Sequence, residues 1–448
     1  MLLFQLLISI LACSDKSSDP ALTDSSIHND TASQATDTSN DTDSPPVVLS
    51  LQSEFANETD HLVEVDDIFA IWWDPAAADH SGDLSTLFGW LKDIRQDCLN
   101  NLGMQDPPNP AAGHFYNVYI HHGEADSFPN GWGNGQGTNA YGLPYLTLPN
   151  GAHLEHGNVL HEGFHIFQYS ANSPGFAYSG DSQWYVESAA QWYQAMKLPT
   201  EELTFVEAGA IVENPQLALW HSFSNEAPGD PTDWLYQVRQ YGMHTWLFYL
   251  SEVAGIDPAI ISDGFYAETS LSPQEYHFER VGDDLRHYFA DWAAHNTGDL
   301  DYLTPEQVER AWLEVELVGD PNNRHPHVAV FDDGDCEGDF IPESSWAPRG
   351  WGYNVVKVNL SSAAQYTLLL GGQPNGSEGA LAHFEGRVVI EGSNGVRYHS
   401  FDMLDSISGT ANVETLAGDS ALYIVVAAVP EHFTGNQNYS YTLNIQRQ

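Results

Sequence analysis

The chain has 448 residues, 42% hydrophobic and 12% aromatic, enough to bury a large core and to form two domains. Its 14 Lys and Arg stand against 62 Asp and Glu, a formal net charge of −48, which argues against nucleic acid and anionic membrane surfaces as partners. Cationic or neutral substrates fit this balance, and so does a plain adaptation for solubility.

Residues 1–12, MLLFQLLISILA, form an apolar run shorter than the roughly 20 residues that span a bilayer, and are expected to be a signal peptide. Ile10-Leu11-Ala12-Cys13 resembles a bacterial lipobox, which implies acylation of Cys13 and a membrane contact made only through that lipid. The basic n-region is missing, so plain secretion stays open. Either way the protein is expected to be exported, as a lipoprotein at the outer membrane or cell surface or as a free secreted protein. Residues 13–50 are mostly Ser, Thr, Asp and Asn, a tether with almost nothing to bury.

Beyond residue 47 the pattern becomes that of a folded chain. HLVEVDD (61–67) alternates and IFAIWWD follows, then residues 83–103 carry Leu84, Leu87, Phe88, Leu91, Ile94 and Leu99 at helical spacing. DPPNPAAG (106–113) is a loop and FYNVYIHH (115–122) a strand. Adjacent strand residues point to opposite faces, so His121 and His122 cannot both ligate one metal and are taken as loop-edge histidines. The glycine-rich stretch 131–142 lacks a phosphate-binding context and suits flexible backbone beside a cleft. His153-Leu154-Glu155-His156 suits a polar surface turn better than a cleft lining.

The strongest chemical signal is NVLHEGFHIFQYS (158–170), in which His161, Glu162 and His165 stand as H-E-x-x-H. Residues four apart share a helix face, so two imidazoles can hold one Zn²⁺ while Glu162 serves as general base for an attacking water. Asn158 can cap this helix, and Val159, Leu160, Phe164, Ile166 and Phe167 would bury it. In the next helical segment, with Asp181 or Ser182 as cap, Glu187 is the one carboxylate among Trp184, Tyr185, Val186, Ala189, Ala190 and Trp192. A charge in such surroundings needs a partner, and zinc would supply it.

His161-Glu162-Gly163-Phe164-His165 followed by Glu187 resembles the gluzincin metallopeptidases, in which two His and a downstream Glu bind zinc. FYNVYIHH, the glycine-rich loop, YGLPYLTLPNG (141–151) and RQYGMHTWLFYL (239–250) resemble an uncharacterised group of secreted zincin-like proteins, over about residues 55–315. In thermolysin-like members an Asp one turn beyond the Glu ligand orients a zinc-bound His; Gln191 stands here, which carries no charge and polarises its partner less.

Residues 233–254 are expected to be a helix carrying Arg239, Tyr241 and His244; Tyr241 and His244 are candidate donors to an oxyanion, or packed aromatics. Helices continue over 274–318, with Pro305 in a first turn. Pro, Asp, Asn and Gly between 320 and 348 mark a boundary, and the short alternating runs beyond it indicate an all-β sandwich. Asp332, Asp333, Asp335 and Asp339 could hold Ca²⁺, although the loop is incomplete and a solvated acidic loop is the alternative. Cys98 and Cys336 can pair in an oxidising compartment or remain two buried thiols.

The sequence thus predicts an α+β zincin-like domain with a helical lower half over residues 51–322 and a β-sandwich over 323–448. The expected activity is hydrolysis of peptides or proteins with one zinc ion. The rival expectation is a non-catalytic surface protein that binds a glycan or protein and keeps a structural or decayed zinc site. An intact Glu162 favours the enzyme, because a structural site needs no base.

Overall fold

Helices and sheets are mixed in the computed structural model, which describes residues 48–52, 61–123, 134–139, 141–201, 204–221, 239–313, 327–393 and 395–448. Residues 1–12, Cys13, nearly all of the tether, residues 131–133 and the expected boundary at 322/323 lie outside the described residues. Internal contacts divide the chain into two units, residues 1–95 with 106–170 and residues 96–105 with 171–448. Among the described residues no helix is long and apolar enough to cross a membrane.

The first unit is built on a five-stranded sheet of order β1-β2-β3-β5-β4, formed by β1 (Leu62–Asp66), β2 (Phe69–Trp73), β3 (Tyr116–His121), β4 (Gly135–Thr138) and β5 (Pro144–Pro149). β2, β3 and β5 run parallel, while β1 and β4 pair antiparallel at the edges. Parallel strands are covered on both faces, so FAIWW, YNVYIH and PYLTLP are buried at every position, as their near-continuous apolar character suggests. Helix α1 (Leu84–Asn100) buries Leu84, Leu87, Phe88, Leu91 and Ile94, the stripe expected from its periodicity.

Helix α2 (His156–Gln168) follows β5 through a one-turn 3₁₀ helix, Ala152–Leu154. It starts earlier than its sequence suggests: Glu155 occupies the N-cap position, and Asn158 lies inside the helix with its side chain bonded to Asn134 at 3.0 Å. Gly163 sits where α2 meets α1, and a Cβ there would lie 2.6 Å from Ile94 Cδ1. That close approach explains the glycine in the middle of HEGFH.

The second unit holds helix α3 (Gln183–Lys197), the short α4 (His244–Phe248), α5 (Pro273–Val281), α6 (Asp284–Thr297) and α7 (Pro305–Ala311). Residues 239–242 are helical, and a π-helical turn, Tyr249–Val253, continues α4; residues 233–238 of the expected helix lie outside the described residues. Ser182 stands at the N-cap of α3 without a capping bond, whereas Asp181 accepts from the Gly435 N–H. Pro305 opens α7 behind a Thr304–Gln307 capping box.

Ten strands follow: β6 (Ala329–Asp332), β7 (Gly338–Phe340), β8 (Gly352–Asn359), β9 (Gln365–Gly372), β10 (Phe384–Gly392), β11 (Gly395–Ser400), β12 (Asp402–Met403), β13 (Ser408–Glu414), β14 (Asp419–Ala428) and β15 (Tyr441–Arg447). They form two sheets, β11-β10-β14-β8-β6 and β12-β13-β9-β15-β7. Val356, Val358, Ile390 and Ile424 of one and Leu368, Leu370, Leu443 and Ile445 of the other share one apolar core, which makes the expected sandwich. Helix α6 lies against it: Phe289 and Trp292 pack on Trp351 and Tyr353, and Arg387 of β10 pairs with Asp291 at 2.5 Å and Glu385 at 3.0 Å.

Both Cys98 and Cys336 are buried free thiols, so of the two expectations the bridge is the one that fails. Three of the four aspartates considered for Ca²⁺ accept hydrogen bonds from neighbouring side chains and main chain. Asp333 accepts from the Ser361 N–H at 3.0 Å and hydroxyl at 2.7 Å, Asp332 from Asn359 at 3.1 Å and Asp339 from Asn444 at 2.7 Å.

Candidate metal centre

On α2 the H-E-x-x-H residues are all interior, with His161 7%, Glu162 3% and His165 2% exposed. The two imidazoles stand one turn apart with ring centroids 4.9 Å from each other and planes at 85°. Gln168 Oε1 lies 2.6 Å from His165 Nδ1. An amide oxygen only accepts, so Nδ1 carries the hydrogen and Nε2 becomes the ligand atom. Gln168, three residues along the same helix, thus orients a histidine in the way expected of the position now held by Gln191. Gln191 donates to Glu207 Oε2 at 3.4 Å.

Glu187 on α3 is 1% exposed, within a run of buried residues from Trp184 to Trp192. Its neighbour Ser188 donates to the Gln240 carbonyl, tying α3 to the segment that bears Tyr241 and His244. Tyr241 is 5% exposed and His244 fully buried, with the His244 ring 5.2 Å from Phe205. His244 Nδ1 lies 2.8 Å from the Tyr241 carbonyl and donates to it.

Among the described residues two groups of side chains meet the spacing of a cation site: His161, His165 and Glu187, and His80, Asp83 and His153. In each, one ligand atom per residue lies within 4.8 Å of the others. Two imidazoles and a carboxylate are a donor set for Zn²⁺ and other divalent first-row metals. The first group was legible in the sequence; the second was not. Within it His80 Nδ1 is 3.6 Å and His153 Nε2 3.9 Å from Asp83 Oδ2. Burial pulls His153 down to about 4, helped by the nearby His80, and burial also lowers His80, so both imidazoles are neutral at pH 7.

Among solved structures the chain is similar to the pre-peptidase C-terminal domain of a collagenase from Bacillus anthracis, at 14% identity over 27% of this chain and 98% of that one, TM-score 0.19. It is similar to CorA, a surface-associated copper-binding protein of Methylomicrobium album BG8, at 10% identity over 27% and 98%, TM-score 0.19. It is also similar to a GH115 4-O-methyl-α-glucuronidase, BtGH115A, at 10% identity over 78% and 54%, TM-score 0.15. No curated protein matches. A family profile matches over residues 114–447, more than half of the chain and a span that holds His161, Glu162, His165, Glu187, Tyr241 and His244; the chain belongs to that family, one of unknown function (DUF6055).

Proposed function

We propose that the protein is a zinc-dependent metallopeptidase with a zincin-like catalytic part, exported and tethered through an acylated Cys13. The observation that supports it is the grouping of His161, His165 and Glu187 with a carboxylate, Glu162, next to the first ligand in the same helix. All three candidate ligands are buried, and a carboxylate among aromatics and alanines is stabilised by a cation. Zinc there would supply a Lewis acid that polarises a carbonyl and makes water nucleophilic near neutral pH.

The chain's own residues then divide the work. Glu162 accepts a proton from the attacking water and returns it to the departing amine. Gln168 holds the His165 ring through Nδ1. Of the two candidate oxyanion donors, Tyr241 is the better, because His244 spends its Nδ1–H on the Tyr241 carbonyl.

The test is cleavage of a peptide library by the purified full-length protein, read by mass spectrometry alongside metal analysis. Glu162→Gln should keep the parent's zinc content while turnover falls by roughly 10²-fold or more, the range for loss of a general base. Glu187→Ala should lose about one zinc per chain, since two imidazoles alone make a weak site. If Glu162→Gln cleaves as fast as the parent, or the parent stays inactive with zinc supplied, the reading as a non-catalytic surface binding protein replaces this one.

A further inference from the structure

We propose a second divalent-metal site, formed by His80, Asp83 and His153 in the first unit and independent of the H-E-x-x-H helix. The sheet order brings these residues together. β2, β3 and β5 are adjacent and parallel, so their C-terminal ends open on one edge; His80 follows β2, His122 follows β3, and His153 follows β5 on the turn Ala152–Leu154. The carboxyl ends of parallel strands are where open α/β sheets bind ligands. Asp83 comes from the turn that leads into α1.

The side chains are placed as ligands rather than as a hydrogen-bonded cluster. His80 is 3% and His153 1% exposed, and His80 Nδ1 and His153 Nε2 are buried with no hydrogen-bond partner. Both nitrogens face Asp83 Oδ2, at 3.6 and 3.9 Å, too far for hydrogen bonds. Donors that share a tetrahedral zinc at 2.0–2.1 Å stand about 3.4 Å apart, so a small inward shift of these atoms accommodates an ion. The opposite side of each ring is already held: His80 Nε2 lies 3.2 Å from His122 Nε2, and His153 hydrogen-bonds to the Pro149 carbonyl. Such contacts on the outer nitrogen orient a metal-bound imidazole. The Asp83 side chain is 40% exposed, which leaves a solvent-facing position for entry of the ion and for a further ligand.

The ion is a divalent first-row metal such as Zn²⁺, which two neutral imidazoles and one carboxylate suit. It clips together the segments that leave β2 and β5 just ahead of α2. The full-length protein, stripped with a chelator and titrated with Zn²⁺ alone, tests this in a His161→Ala/His165→Ala background that removes the other site. About one equivalent should still bind and should raise the thermal midpoint. Asp83→Asn, partly exposed and of equal size, should lower that affinity by at least ~10-fold and abolish the zinc-induced shift while the metal-free midpoint stays at the background value. His122→Leu should weaken binding ~10-fold and His122→Gln, which can still accept from His80, should restore it. If the background protein binds no zinc, or binds it equally well with Asp83→Asn and with His153→Gln, the second site does not exist; the proposed peptidase site stands or falls separately, on the zinc lost with Glu187→Ala.

Discussion

A buried imidazole has two nitrogens, and what each one touches decides what the ring can do. His165 gives its Nδ1–H to Gln168, at 2.6 Å, and so keeps Nε2 for a cation. Gln168→Leu should therefore weaken zinc binding at the H-E-x-x-H site by ~10–100-fold, while Gln168→Glu, a stronger acceptor, should bind at least as tightly as the parent. Competition titrations against a chromophoric chelator measure this. Equal affinity for Leu and Gln at position 168 would mean that the contact orients nothing. His244 likewise spends its Nδ1–H, here on the main chain of its own helical segment, and that N–H is not available to an oxyanion.

Among the elements, α2 is packed closely against α1. Gly163 permits α1 to approach so closely that a methyl group would meet Ile94 Cδ1 at 2.6 Å, and Ile94 is itself only 1% exposed. Overpacking costs about 1–3 kcal/mol, against about 1 kcal/mol that alanine gains over glycine as a helix former. Gly163→Ala alone should thus be neutral to destabilising. In an Ile94→Val background, which removes the clashing Cδ1, the same substitution should stabilise by up to about 1 kcal/mol. Unfolding of the four proteins of this cycle in urea gives the coupling, and strict additivity would show that the two helices are not packed as closely as described.

Across the whole molecule, acidity acts through a few buried histidines as well as through the large negative charge. His221 is held down at about 3 by burial and by Arg239 and Arg349; His277 is held at about 3 by burial and Arg280, with its Nε2 2.9 Å from the Tyr185 hydroxyl. Both values are below that of an unfolded histidine, about 6.5, so the unfolded chain takes up protons first as pH falls. The stability they contribute is complete above pH 6.5 and is lost progressively toward pH 3. Relief of carboxylate repulsion begins only near the carboxylate values, about 4, so the histidine effect dominates from pH 6.5 to about 5. The thermal midpoint should fall over that interval, and His277→Gln, which retains a donor for Tyr185, should flatten the slope; an unchanged slope would remove His277 from the account.

What the sequence by itself determined was local. H-E-x-x-H on an apolar helix, Glu187 alone among buried neighbours, the α1 stripe and the alternating runs of the sandwich all follow from periods of 3.6 and 2, which are properties of a short stretch of chain. What only the tertiary structure decided was convergence between distant stretches. The sequence puts His122 at a loop edge and His153 in a polar surface turn, and it carries no local signal for His80. Yet His122, one residue past β3, stacks on His80, because β2, β3 and β5 are neighbours in a parallel sheet whose order no local pattern specifies. The partner of His165 was equally out of reach: Gln168 meets its Nδ1 only because packing fixes that side-chain position. Strand order and buried polar partners depend on which faces the folded chain covers, and that is settled by the sum of many weak long-range contacts rather than by any one segment.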